Sequence, residues 1–344
     1  MDPDEEIEFD LSPFPIVYKS GRVQRSGLTS RKSAGTDATT GVASKDVVID
    51  AGTGLDARLF LPKSVQESQK LPVLVYFHGG AYIAESAFSL RYTSYVNALV
   101  AAARVVAVSV EYRLAPEHPL PAAYDDAWAA LRWTATSCVS AGPETEPWLA
   151  DHGDPTRIFV AGNSSGGNMA HNVVMRAGKE GLRGGARVEG MVLLHPLFLG
   201  KAPVPSEGTD TTETAERNWR FVCAGKYGLD HPFSNPLVMP PEEWAVLGCR
   251  RALVTVRLLT ATELDRSRDR ARMYVEALRG SAWGGEEAVL YETKGEEHMY
   301  YFSKDARSNS VVAAKAAKEM AIVVSFIKRV TCTSPSDCNI RSTL

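Results

Sequence analysis

The sequence "RIFVAGNSSGGNMAHNVVM", residues 157–175, contains the turn that decides the fold. Residues 157–162 form an apolar run that predicts a buried strand, and residues 168–178 are predicted to form a helix. The motif Gly-Asn-Ser-Ser-Gly, residues 162–166, lies at the junction between them. G-x-S-x-G between a strand and a helix is typical of a strained turn that presents its serine as a nucleophile at the positive end of the helix.

Ser164 is the predicted nucleophile of this turn because Gly162 and Gly166 each lie two residues away from it. Small residues are needed there because the strand and the helix pack closely around the strained serine. An alternative interpretation is an ordinary glycine-rich turn in which Ser164 or Ser165 caps the helix. Candidates for a base, an acid and oxyanion donors elsewhere in the chain decide between these two interpretations.

An alternation of strands and helices surrounds this turn. Helices are predicted at residues 90–103, 123–137, 168–178, 268–279 and 309–329. Strands are predicted at residues 46–50, 57–62, 72–78, 105–112, 157–162, 190–196, 252–261 and 288–293. From the third strand onward the runs are continuously apolar, as in strands buried on both faces. We therefore predict an α/β fold with an eight-stranded, mostly parallel sheet flanked by helices, and an antiparallel hairpin of the first two strands at one edge.

Three segments fit this scheme poorly. Residues 1–45 and about 197–246 are rich in turn-forming residues, although a helical piece lies in the second of these segments. We predict one domain, residues 1–330, in which both segments contribute to a cap over the sheet. The polar tail, residues 331–344, is predicted to be disordered.

The composition excludes several classes of function. The net charge of −3 provides no basic face for nucleic acid, and no apolar run is long enough to cross a membrane. The acidic start "MDPDEEIEFD" is unlike a secretory leader, so we expect a cytosolic protein. We also expect no cofactor and no metal, because no spacing of metal ligands occurs among the five cysteines, which we interpret as free thiols: Cys138, Cys223, Cys249, Cys332 and Cys338.

A serine nucleophile needs a base, which in a parallel-sheet hydrolase follows the nucleophile and the acid along the chain. Of seven histidines, His298 in "KGEEHMYYF" is the one that follows the last predicted strand and precedes the last helix. Taken alone, His298 next to Glu296 and Glu297 would be an ordinary histidine of a surface loop. A metal site is disfavoured because no second histidine lies at helical spacing.

The acid is expected after the preceding strand, in "TATELDRSRDRARMY". Asp265 lies close to the predicted end of that strand and is the preferred residue, with Glu263 as the second choice. Asp269 lies inside the predicted helix, where pairing with Arg272 would make it an ordinary surface charge.

The stretch "VLVYFHGGAYI", residues 73–83, supplies the remaining part of a hydrolytic site. An oxyanion intermediate needs preorganised N–H donors, and a glycine-rich loop lets the backbone approach the substrate. We predict donors chiefly from Gly80 and Ala81, with a further one from Ser165. His78 is predicted to anchor this loop rather than to act as a base.

With these elements in order, the chain resembles the plant carboxylesterase family of hormone-sensitive-lipase-like α/β-hydrolases. The resemblance rests on "YFHGGAYI", "EYRLAPEHPLPAAYDDAW", "GNSSGGNMAH", "HPLF", "ELDRSRDRARMYVEAL" and "EEHMYYF". It implies a Ser164–Asp265–His298 triad and a cap formed partly by the N-terminal segment. It also implies an oxyanion hole from Gly79, Gly80 and Ala81 with Ser165.

This sequence departs from the family at three places. Ala81 replaces the third glycine of the usual His-Gly-Gly-Gly motif, which keeps the N–H but adds a methyl group that is expected to narrow the acyl pocket. Asn163 replaces a frequent aspartate, and the segment before Asp265 is a few residues longer than usual.

The resemblance leaves four functions open. The first is a serine carboxylesterase that hydrolyses small carboxylic esters. A dehydratase like the 2-hydroxyisoflavanone dehydratases and a lactone-forming transacylase like the tuliposide-converting enzymes would use the same site. A hormone receptor like the gibberellin receptors is disfavoured by the presence of His298. The partner expected is a small-molecule ester, with neither nucleic acid nor membrane, while the physiological substrate and the oligomeric state do not follow from the sequence.

Overall fold

The computed structural model of the chain describes residues 4–10, 15–25, 30–140, 142, 145–207, 209–258 and 268–329. A small antiparallel sheet comes first, formed by strands β1 (Ile7–Asp10), β2 (Ile16–Tyr18) and β3 (Val23–Gln24). Eight further strands form the central sheet: β4 (Ala43–Asp50), β5 (Leu55–Leu61), β6 (Leu71–Phe77), β7 (Val106–Glu111), β8 (Gly153–Asn163), β9 (Val188–Leu194), β10 (Cys249–Leu258) and β11 (Glu287–Lys294).

The central sheet has the strand order β11-β10-β9-β8-β6-β7-β5-β4. Strand β5 is antiparallel to both of its neighbours, and every other pair is parallel. Strands β6 and β9 are buried at every position, because helices cover both faces of the sheet. The predicted eight-stranded, mostly parallel sheet with its antiparallel edge hairpin is therefore confirmed.

The helices of the described residues are α1 (Leu90–Ala103), α2 (Ala122–Val139), α3 (Pro147–His152), α4 (Ser165–Glu180), α5 (Thr209–Val222), α6 (Arg268–Gly280), α7 (Asp305–Ser308) and α8 (Ser310–Lys328). Apolar residues of α1 and α8 pack in one core cluster, and those of α2, α4 and α6 pack in another. The two clusters are the two sides of the sheet, as the predicted layer architecture requires. No helix in this described part of the chain has the length and apolar character needed to cross a bilayer.

Residues 1–45 and 197–246, which fitted the predicted alternation of strands and helices poorly, contain more secondary structure than the sequence indicated. The N-terminal segment contains the small sheet, and the excursion after β9 contains α5, which begins at Thr209. The two segments meet where the ring of Phe9 stacks on that of Phe221, with centroids 4.3 Å apart. Their role as a cap and the single-domain boundary at residue 330 stay predictions, and the predicted disordered tail lies outside the described residues.

Candidate active site

The turn between β8 and α4 is held in a strained conformation by close packing. Ser164 has φ +53° and ψ −119°, and its side chain makes no helix-capping hydrogen bond. A Cβ atom on Gly162 would lie 2.2 Å from the carbonyl oxygen of Gly166, and one on Gly166 would lie 2.1 Å from that of Phe77. Side chains at both glycine positions are thus excluded by backbone atoms, which explains the G-x-S-x-G spacing.

The side chain of His298 lies within hydrogen-bond distance of Ser164 at the carboxyl edge of the sheet. Its Nε2 atom lies 3.1 Å from Ser164 Oγ, although 134 positions separate the two residues in sequence. Their elements, β8 and β11, bring both residues to the carboxyl edge of the parallel strands, where sites of α/β folds form. Among the described residues, no other histidine is within hydrogen-bond distance of Ser164.

The environment of His298 favours the neutral imidazole. Desolvation by the surrounding protein, and then the nearby His195 and Arg257, lower the pKa of His298. The ring is also open to solvent through the pocket, so water offsets part of the desolvation. A neutral ring at pH 7 can accept the proton of Ser164.

The predicted acid cannot be placed in the same way. Asp265 and the second choice, Glu263, lie outside the described residues. Asp269 lies in α6, where its carboxylate accepts a hydrogen bond from the Ser206 N–H at 2.9 Å and contacts Arg268 at 2.9 Å. Its carboxylate is therefore engaged in structural contacts, and Asp265 stays the predicted acid.

The loop after β6 presents two backbone donors. Neither Gly80 nor Ala81 donates its N–H to an acceptor within the described segments. Gly80 has φ +116°, and a Cβ atom there would lie 2.1 Å from the carbonyl oxygen of Ala84. Ala81 has φ +54° and lines the pocket. The third predicted donor, Ser165, is the first residue of α4, where a helix leaves its N–H groups without helical partners.

Gly79 differs from the other predicted donors. Its N–H donates to Tyr92 Oη at 3.0 Å, and the same oxygen accepts a hydrogen bond from Asn163 Nδ2 at 3.1 Å. Because this N–H already has a partner, we leave Gly79 out of the candidate oxyanion hole. Asn163 also accepts a hydrogen bond at its Oδ1 from Tyr76 Oη at 3.1 Å. Its side-chain amide therefore has a structural role, because it connects the turn that contains Ser164 to the loop after β6.

His78 is placed to orient the loop. Its Nδ1 donates to the carbonyl oxygen of Gly79 at 2.7 Å, and its ring stacks on Tyr112 with centroids 4.2 Å apart. Burial lowers the pKa of His78 to about 4, so the ring is neutral at pH 7. In a trans peptide the C=O and N–H point in opposite directions. Holding the Gly79 carbonyl therefore turns the Gly80 N–H away from His78.

Arg25 of the N-terminal segment also forms hydrogen bonds with the loop after β6. Arg25 donates from Nε to the carbonyl oxygen of Ile83 at 2.8 Å and from Nη2 to that of Ala115 at 2.9 Å. Its guanidinium also makes two hydrogen bonds with Glu117. Sequence analysis missed Arg25, because nothing in a local pattern signals contacts across 58 and 90 positions.

A pocket of about 360 Å³ opens beside His298. Its walls are mainly apolar and come from the glycine loop, the segment after β9 and helix α5: Ala81, Ile83, Leu197, Phe198, Leu199, Ala215, Trp219 and Val222. Glu207 also lines it, but buried Arg270 pairs with that carboxylate. The Asn218 Oδ1 atom is buried in the pocket wall and accepts no hydrogen bond from any described residue. The pocket fits a small, largely apolar molecule with few polar groups.

Comparison with known proteins identifies the family of the chain. A family model described as the alpha/beta hydrolase fold matches residues 74–302. The chain therefore belongs to the alpha/beta hydrolase family, and the resemblance predicted from the motifs is confirmed.

Two groups of plant relatives are similar over nearly the whole chain. An amyloplastic tuliposide A-converting enzyme of Tulipa gesneriana is 43% identical over 94% of this chain and 81% of its own length. A 2-hydroxyisoflavanone dehydratase of Glycyrrhiza echinata is 42% identical over 89% of this chain and 93% of its own length. The relatives therefore include enzymes with different named activities.

Solved structures of esterases share the fold. A Pyrobaculum calidifontis esterase superposes with a TM-score of 0.62 at 25% identity, covering 83% of this chain and 84% of its own. A thermostable Pseudomonas putida esterase gives a TM-score of 0.67 at 22% identity, covering 87% and 86%. At that identity the second likeness concerns the fold alone.

The predicted cytosolic location is wrong by these comparisons. Tuliposide A-converting enzymes that are 43% identical to the chain are named amyloplastic or chloroplastic, not cytosolic. An acidic start that is unlike a secretory leader does not distinguish the cytosol from a plastid.

Gly166→Ala tests the close packing of the turn between β8 and α4, which contains Ser164. The added methyl would collide with the backbone of β6, so we expect a loss of about 2–3 kcal/mol in the free energy of unfolding, measured by denaturant titration. Gly284→Ala is the matched control, because nothing lies within 4 Å of a Cβ atom at this position. Equal stability of the two variants would contradict the packing argument.

Proposed function

We propose that this protein is a serine carboxylesterase that hydrolyses small carboxylic esters through an acyl-enzyme intermediate. The observation that carries the proposal is the 3.1 Å distance between Ser164 Oγ and the Nε2 atom of His298, a residue that lines an apolar pocket. The N–H groups of Gly80 and Ala81, which have no acceptor among the described residues, supply the second requirement of acyl transfer, which is a site for an oxyanion. Membership of the alpha/beta hydrolase family and the esterase likenesses support a hydrolase.

The first half-reaction forms the acyl-enzyme. His298 Nε2 takes the proton of Ser164 as Oγ attacks the ester carbonyl carbon, and the carbonyl electron pair moves onto oxygen. Backbone N–H groups of Gly80, Ala81 and Ser165 stabilise this oxyanion. The intermediate collapses, the bond to the alcohol oxygen breaks, and His298 donates its proton to the leaving alcohol.

The second half-reaction releases the acid. A water molecule loses a proton to His298 and attacks the acyl carbonyl, and a second oxyanion forms at the same donors. When this intermediate collapses, the bond to Ser164 Oγ breaks and His298 returns its proton to that oxygen. In the proposed triad, Asp265 would hold the imidazole in the correct tautomer throughout.

A lactone-forming transfer is the second candidate. The similarity to tuliposide A-converting enzymes favours it. In that reaction a hydroxyl group within the acyl chain would replace water in the second half-reaction, with the same nucleophile and base. A 2-hydroxyisoflavanone dehydratase is nearly as similar, so elimination is a third outcome for substrate assays. A purely hormone-binding role is disfavoured, because such a role needs no base near Ser164.

Ser164→Ala is expected to remove hydrolysis of short-chain p-nitrophenyl esters. The expected loss in kcat is about 10⁵-fold or more, because the variant has no nucleophile. A serine-directed phosphonate should label the wild-type protein and leave Ser164→Ala unlabelled. Retained hydrolysis in the variant would refute the mechanism, and an unlabelled, inactive wild type would favour the receptor interpretation.

Asp265→Asn tests the predicted acid against its neighbours. Loss of the carboxylate should lower kcat by about 10²–10⁴-fold with little change in KM, because the imidazole would no longer be held in the productive tautomer. Asp269→Asn is the matched control and is expected to keep kcat within about threefold, as for a charge outside the reaction centre. If Glu263→Gln shows the large loss instead, Glu263 is the acid.

Ala81→Gly is expected to broaden acyl tolerance. Removing a methyl group from the pocket wall should raise kcat/KM for branched and longer acyl chains relative to acetate by about tenfold or more, as for a change of one methylene in an apolar pocket. Acetate serves as the internal reference, because it makes little demand on the space that Ala81 occupies. An unchanged ratio across the acyl series would show that Ala81 does not limit the pocket.

A further inference from the structure

We propose that His195 and Glu319 act as a positioning pair that holds the His298 loop in its catalytic geometry. Neither residue lines the pocket, and sequence analysis gave neither a role. The inference rests on the proposed function, since it concerns the base of that reaction. It follows from a chain of buried contacts that ends at the peptide bond after His298.

His195 contacts the loop directly. It follows β9, is fully buried, and has φ +46°. Its Nδ1 atom accepts the N–H of Met299 at 3.1 Å. Met299 immediately follows His298 and has φ +54°, a conformation that a non-glycine residue adopts only when its surroundings hold it there. A single buried acceptor thus fixes the peptide beside the base.

This hydrogen bond also fixes the tautomer of His195. Because Nδ1 accepts the Met299 N–H, the ring proton of His195 is on Nε2. Nε2 faces Glu319 Oε1 at 3.4 Å. The rings of His195 and His298 are 5.7 Å apart, so the pair lies directly beside the base of the proposed reaction.

Glu319 is a buried carboxylate with several donors. It projects from α8 and accepts hydrogen bonds from Thr255 Oγ1 at 2.7 Å, Tyr300 Oη at 2.9 Å and Thr293 Oγ1 at 3.2 Å. Burial alone would raise the pKa of Glu319, but His195 and these hydroxyl groups hold it below the ordinary value. The group is therefore charged at neutral pH, and its lone pairs are well satisfied.

The pair holds the loop at two adjacent points. Glu319 binds Tyr300 directly, and through His195 it reaches the N–H of Met299. A buried charge is costly, and an apolar side chain would fill the same space between α8 and the sheet with less penalty. What an apolar side chain at position 319 cannot supply is an acceptor for Tyr300 Oη and a partner for Nε2 of His195, whose Nδ1 accepts the Met299 N–H. The hydrogen bonds of His195 and Glu319 therefore orient the loop that carries His298, in addition to filling the space between α8 and the sheet.

The test compares kcat and KM of His195→Phe, His195→Asn and Glu319→Gln on a p-nitrophenyl ester, with active sites counted by phosphonate labelling. In His195→Phe the Met299 N–H loses its acceptor, so we expect kcat to fall by at least about tenfold while KM stays within about threefold. The phosphonate labelling rate, which also depends on His298, should fall in parallel. His195→Asn can place its Oδ1 near the position of Nδ1, and should restore kcat to within about threefold of wild type.

His171→Phe is the matched control. His171 is equally buried and its Nδ1 contacts Tyr274 Oη at 2.9 Å, but it lies on α4 away from the His298 loop. Both Phe variants are expected to lower the midpoint of thermal unfolding, whereas only His195→Phe should lower kcat per labelled site.

Three outcomes would overturn the inference. They are a kcat for His195→Phe within about twofold of wild type, an equal fall in His171→Phe, and no rescue by His195→Asn. If His195→Phe does not fold, Glu319→Gln decides: a fall in kcat of about fivefold or more at unchanged KM supports the pair, and an unchanged kcat refutes it. A wild type that neither hydrolyses esters nor takes up the phosphonate would remove the proposed function first, and the inference with it.

Discussion

The close packing of helix α4 against strands β6 and β8 is the constraint on which the rest of the site depends. Backbone atoms meet where Gly162 and Gly166 lack side chains, and the chain can pass from strand to helix only by placing Ser164 at positive φ. That conformation directs the side chain away from the sheet and toward the loops at its carboxyl edge. The strain is local and is held by the buried strands on either side.

The loops around Ser164 are held by buried polar contacts rather than by regular structure. His78, Tyr92 and Asn163 hold the glycine loop from below, and Arg25 holds it from the N-terminal segment. On the other side, His195 and Glu319 hold the loop of His298. Preorganisation of this kind lets donors and base face the reacting atoms without reorganising during catalysis. The proposed mechanism therefore draws on residues well outside the pocket.

The sequence predicted the sheet well, because short continuous apolar runs such as Leu71–Phe77, alternating with longer helical segments, indicate strands buried on both faces. It also predicted the pairing of Ser164 with His298, since a motif and chain order restrict the choice. It missed the small sheet β1–β3, whose strands have only two to four residues, too few for a periodic pattern. It missed Arg25, and it gave no role to His195, because their partners are 58 and 104 positions away along the chain.

Trapping the covalent intermediate tests the central claim most directly. The protein would be mixed with a short-chain ester, quenched in acid during turnover, digested, and analysed by mass spectrometry. We expect a mass increase equal to the acyl group on the peptide that contains Ser164. Hydrolysis without any adduct, or an adduct on another residue, would contradict it.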